Sequence, residues 1–225
     1  MATHYDLEEQ EQLAQMKHFW AKYGNLITWA LIAVLGAFAA WNGWQYWQRK
    51  SALEAAALYD ELDRAAQAQD RERVQRVWAD VQAQAGRTVQ AQQAGLLAAR
   101  VFEAAAQLDA ARQALQFVAE ASADADLASV ARLRLAGLEL QAKQPDAALK
   151  WLASGISADF KALAADRQGD ALLAQGKADE ARQAYEQAWT AMDATQDYRR
   201  LVEAKLNTLG VNPGAGAAPQ LETSR

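Results

Sequence analysis

The chain of 225 residues has no cysteine, which excludes disulfides, thiolate metal sites, c-type haem attachment and lipid attachment at cysteine. The redox compartment stays open on this ground, because a cysteine-free chain suits either one. Histidine is nearly as scarce. His4 and His18 are the two present, and both fall in the first twenty residues, away from the body of the chain. Neither has neighbours at ligand spacing or the partners of a nucleophilic triad. No G-x-S-x-G, H-E-x-x-H, G-x-x-x-x-G-K or G-x-G-x-x-G occurs, so no hydrolase elbow, zinc helix or phosphate cradle is signalled. Proline is limited to Pro145, Pro213 and Pro219. Runs of β-branched and aromatic residues alternating at period two are missing, which leaves an all-α chain. No catalytic group, cofactor site (cofactors: none) or metal site is expected, and no enzyme.

Positive charge is also short. Acids outnumber bases by 28 to 23, a formal charge of −5. Residues 1–50 hold four of each sign, so the whole excess lies beyond them. Nothing gathers positive charge to meet phosphates, and nucleic acid is not expected as a partner. Acid pairs such as Asp124 with Asp126, or Asp179 with Glu180, lie at helix starts, where capping explains them better than acid–base work.

Charge vanishes altogether over one stretch. From Tyr23 to Gln48 no side chain is ionised: "YGNLITWALIAVLGAFAAWNGWQYWQ". A helix from Gly24 to Trp47 spans roughly 36 Å at about 1.5 Å per residue, enough for a hydrocarbon core of about 30 Å. Lys17 and Lys22 bracket it on one side, Arg49 and Lys50 on the other. Trp41, Trp44, Tyr46 and Trp47 crowd the second end, where amphipathic rings settle at headgroup depth. A core helix rarely needs so long an uncharged run. Ala37-Phe38-Ala39 fits a signal-peptide cleavage site. Against cleavage stand the acids Asp6, Glu8, Glu9 and Glu11 upstream and the aromatic cluster beyond the cut. The sequence therefore predicts a transmembrane helix over 23–48 in contact with membrane lipid, ending in an interfacial belt. Before it, 1–22 reads as a polar start and a short amphipathic helix carrying Leu13, Met16, Trp20 and Tyr23. After it, no breaker lies between Ala52 and Ala57, so helix is expected to continue past Ser51.

The remainder repeats itself. "LDAARQAL", "PDAALKWL" and "ADEARQAY" place Asp109, Asp146 and Asp179 at intervals of 37 and 33 residues. Each aspartate is expected to cap a helix, with another helical stretch upstream. A period of about 34 residues made of two helices marks tetratricopeptide repeats. The last unit fits the repeat's packing positions at Gly169, Leu172, Gly176, Ala181, Tyr185 and Ala188. Gly169 and Ala181 let paired helices approach, Gly176 permits the turn, and Leu172 and Tyr185 fill the space. Gln168 is placed on an outer face. Trp78, Trp151 and Trp189 read as core. The expectation is a tetratricopeptide-like α-solenoid over 51–209, about four helical hairpins and a capping helix "DYRRLVEAKLNTLG", then a disordered tail, 210–225. Such a stack offers a concave surface to peptide segments.

The order of these parts resembles the ancillary SecYEG translocon subunits of Gram-negative bacteria. The likeness runs over 13–209 and is strongest in "MKHFWAKYG", "GWQYW", "LRLAGLELQAKQPDAALKWL" and "DRQGDALLAQGK". The resemblance implies a single-pass inner-membrane protein with a cytoplasmic N-terminus and a periplasmic repeat domain. It implies association with the SecYEG translocon and with a PpiD-type periplasmic chaperone; a tethered repeat stack there is expected to meet unfolded secretory polypeptides. Lys17 and Lys22 oppose Arg49, Lys50 and Arg64, so charge alone gives no orientation. The residues by themselves also fit a tethered scaffold for assembling another envelope complex, with no translocon role.

Overall fold

The computed structural model describes residues 7–84, 86 and 88–213. The expected tail, 210–225, lies outside the described residues from position 214 on. Helix α1 (Leu7–Gln67) runs through Gly43 and Ser51 without a break. Among the described residues eight further α-helices follow: α2 (Arg71–Gln84), α3 (Val89–Ala104), α4 (Leu108–Ala121), α5 (Ala125–Gln141), α6 (Pro145–Leu152), α7 (Lys161–Ala174), α8 (Ala178–Ala191) and α9 (Tyr198–Thr208). A single 3-10 turn, Ala158–Phe160, precedes α7. No strand occurs among the described residues. By its internal contacts the chain divides at Ser51.

In the first unit, Met1–Ser51, most of the large apolar side chains from Leu13 on are exposed. Part of its helix is long and apolar enough to cross a membrane. Two polar side chains in the apolar run are satisfied inside their own helix. Thr28 Oγ1 donates to the Gly24 carbonyl at 2.8 Å, and Asn42 Nδ2 to that of Phe38 at 2.8 Å. Hydrocarbon offers no water to do this, so internal pairing suits a membrane-crossing helix.

The second unit is a stack of hairpins: the end of α1 with α2, α3 with α4, α5 with α6, α7 with α8, and then α9 alone. The first helices of successive pairs also pack sideways, α3 on α5 and α5 on α7. One turn recurs five times. Gln69, Ala106, Lys143, Gly176 and Gly210 all take positive φ, between 56° and 79°. The amide after each reaches back five residues, as from Gln107 to the Phe102 carbonyl at 2.8 Å and from Lys177 to Leu172 at 3.0 Å. This is the Schellman closure of a helix end. Five residues after each of the first four turns stands Val74, Ala111, Ala148 or Ala181, all fully buried. Nine residues after them stand Trp78, Leu115, Leu152 and Tyr185, all buried. Small residues set the helix spacing; large ones fill the gap between layers.

Two details correct the sequence reading. Asp109, Asp146 and Asp179 do not cap α4, α6 and α8. The cap residues are Gln107, Gln144 and Lys177, with no side-chain hydrogen bond. The tight turn uses up the positions before each helix, so each aspartate falls second within it, where its charge meets the positive end of the helix dipole. Asp109 and Asp179 also pair with Arg112 at 2.8 Å and Arg182 at 3.0 Å. Side-chain caps occur instead at Thr88 on α3 and Asp124 on α5. Gln168 is half-buried, not on an outer face: its Nε2 donates to the Leu152 carbonyl at 3.2 Å, tying α7 to the hairpin before it.

Helix α6 is short, at eight residues. Gly155 turns the chain at φ 73°. Arg132 then donates to the Gly155 carbonyl at 2.6 Å and to that of Ala119 at 2.7 Å. Ser157 closes the loop through Ser129 Oγ at 2.8 Å and Asp126 Oδ1 at 2.6 Å.

Candidate protein-interaction surface

In the repeat register, residues facing away from their own hairpin partner lie on α3, α5 and α7. Between α5 and α7 they form a groove of about 580 Å³. Val130, Leu133 and Leu138 come from α5, Phe160 from the 3-10 turn, Leu163 from the start of α7, and Tyr198 from α9. Arg134 and Arg167 add the polar edge. Arg134 donates to the Leu96 carbonyl at 2.9 Å and pairs with Glu103 at 3.1 Å, while Arg167 reaches Asp170 at 3.4 Å. A second groove, of about 490 Å³, lies between the end of α1 and α3, with Leu97 and Val101 beside Asp63, Arg71 and Arg100.

A buried polar network holds α9 against α7. Asp166, with no exposed surface, accepts from Tyr198 Oη at 2.8 Å and from Lys205 Nζ at 2.8 Å. Lys205 also donates to Asp170 at 2.7 Å, and Asp170 accepts from Tyr185 Oη at 2.8 Å. Burial first, and then the bond to Asp170, pushes the Tyr185 hydroxyl far above the ordinary tyrosine range. Burial and the bond to Asp166 push Tyr198 up to about 12. Both phenols therefore stay protonated donors near neutral pH. Elsewhere Arg112 is raised above its ordinary value, chiefly by its hydrogen bond to the buried Glu139 at 2.9 Å. These groups position helices. Among the described residues no cluster of three or more His, Asp or Glu could hold a metal.

The six residues singled out for repeat packing lie on α7, α8 and the turn between them. Gly169 sits beneath the Tyr185 ring, where an added Cβ would run into ring carbons. Ala181, Tyr185 and Ala188 are buried in one cluster, with Leu172 half-buried against it. Gly176 is exposed in the turn, at φ 78°. Trp41, Trp44, Tyr46 and Trp47 are each more than half exposed, and the Trp44 and Trp47 rings lie 5.7 Å apart. Of the other tryptophans, Trp78 is buried edge-on to Phe117, and Trp189 carries the Arg199 guanidinium 3.9 Å over its ring. Sequence reasoning passed over Asp166, Asp170, Tyr198 and Lys205. The available signal was the acid pair four apart on α7, which shares one helix face.

The model of a tetratricopeptide repeat-like domain family matches residues 17–211. A protein of Neisseria gonorrhoeae named ancillary SecYEG translocon subunit is 30% identical over 213 residues, covering 93% of this chain and 100% of that one. Proteins of the same name from Escherichia coli and Haemophilus influenzae are each 30% identical, over 90% and 91% of this chain and 97% and 99% of theirs. No solved structure matches. With the repeat model spanning most of the chain and such relatives matched almost end to end, this chain belongs to the family of ancillary SecYEG translocon subunits, built on tetratricopeptide-like repeats.

Proposed function

We propose that this chain is a membrane-anchored, non-enzymatic protein-binding scaffold at the SecYEG translocon. Its span over 23–48 holds the repeat domain, 51–209, on the periplasmic face of the inner membrane, and 1–22 stays in the cytoplasm. There the repeats hold a PpiD-type periplasmic chaperone beside the channel and meet unfolded secretory polypeptides as they emerge. Trp41, Trp44, Tyr46 and Trp47 contact lipid at the outer headgroups. The carrying observation is the pairing of an exposed apolar helix with a repeat stack whose α5–α7 groove offers apolar walls and internally matched charges. Family membership directs that scaffold to the channel.

A photo-crosslinking residue at the exposed position 141 on α5 tests this in native membranes. Adducts with SecYEG subunits or with a periplasmic chaperone are expected. Recovery of cytoplasmic proteins alone would overturn both the partner and the orientation.

A further inference from the structure

Three glycines lie inside helices of the repeat unit, Gly95, Gly137 and Gly169. Glycine weakens a helix interior relative to alanine, so each needs a reason. Two have one in the chain's own packing. A Cβ at Gly95 would press into Val118 and Trp78, and one at Gly169 into Tyr185. Gly137 is different. A Cβ built there meets nothing within 4 Å, and its φ is not positive. No turn, strained backbone or internal neighbour accounts for it. Yet it is half-buried, on α5, in the floor of the groove walled by Val130, Leu133, Phe160 and Leu163. The remaining use of a helical glycine is to admit something from outside close to the backbone.

The groove's charge state narrows what that is. Its charged lining residues are Glu103, Arg134 and Arg167, and each is already in an ion pair within the chain. A charged occupant would lose water without meeting an unmatched counter-charge, whereas an apolar one would cover apolar walls. We infer that this groove binds an uncharged apolar polypeptide segment, one of whose large side chains seats on the bare α5 backbone at Gly137. The assignment rests on the protein-binding reading above and names the chemistry of what is bound.

The test uses the full chain in detergent micelles and short fluorescent peptides: one of Leu and Phe among Ala and Gln, the same with Glu or with Lys added, and one of Ala and Gln alone. The neutral apolar peptide should bind best, and Gly137→Leu should weaken it by about tenfold or more. The same substitution should leave the melting temperature unchanged or raised, because leucine favours helix and the space is open. Undiminished binding by the variant, tighter binding of a charged peptide, no binding of the neutral one, or a lowered melting temperature would each overturn the assignment. Channel crosslinks in native membranes should survive Gly137→Leu. Their absence from the unaltered chain would count against the translocon reading, while the peptide titrations bear on the groove alone.

Discussion

Asp166→Leu removes the centre of the network that docks α9 and keeps the number and branching of side-chain heavy atoms. The carboxylate is fully buried and accepts from Tyr198 and from Lys205, each at 2.8 Å. Stripping one partner from a buried pair costs about 3–5 kcal/mol when the surviving charge is stranded. Lys205 is not stranded, since Asp170 still accepts at 2.7 Å and about a quarter of the lysine side chain reaches solvent. The loss then reduces to one orphaned phenol donor and one charge-assisted bond, about 2–3 kcal/mol. In a domain of this size that lowers the midpoint by roughly 2–4 °C per kcal/mol. Urea and thermal unfolding of the detergent-solubilised full chain, followed by tryptophan fluorescence, would measure it. A double-mutant cycle with Lys205→Met should show coupling, because both changes act on one bond. A loss below about 0.5 kcal/mol, the size of an ordinary surface change, would mean that α9 is not held this way.

Other perturbations probe other parts of the fold. Gly169→Leu drives a side chain into the Tyr185 ring and should cost about 1–3 kcal/mol or more, while Gln183→Ala, on an exposed face, should cost under about 0.5 kcal/mol. Ala106→Gly and Lys143→Gly relieve left-handed backbone at φ 57° and 58° and should each stabilise by about 0.5–1 kcal/mol in the same unfolding assay; a loss would place the strain elsewhere. Tyr198 has a folded pKa of about 12 against an ordinary value of 10.0. Because the protonated phenol is favoured in the folded state, that stability is complete below pH 10 and fades as pH rises toward 12. Tyr198→Phe should flatten this alkaline loss, and an unchanged slope would refute the link.

What the sequence showed, and what it hid, follows from sequence distance. The long apolar helix was legible because its signal is local: a run without charge closed by Trp41, Trp44, Tyr46 and Trp47. The last repeat was legible because Gly169, Gly176 and Ala181 are small where small residues are required. The earlier turns were harder to read, since Gln69, Ala106 and Lys143 adopt a conformation usually given to glycine and carry no glycine signal. Aspartates near helix starts suggested caps, but the turn chemistry placed them two positions past the cap. The α9 network joins residues 32 and 39 positions apart, and no periodicity marks such a pairing. Gly137 carries no signal in the repeat pattern; only the empty space around it gives it a use.

The lack of native cysteine makes one measurement especially clean. Single cysteines at positions 35, 44 and 52 of the full chain, treated with a membrane-impermeant thiol reagent from the outer side, report where the span ends and which way it points. Position 52 should label, position 44 weakly, and position 35 not at all. Labelling at 52 only after the inner membrane is opened would invert the chain and remove the repeats from the side where translocated polypeptides emerge.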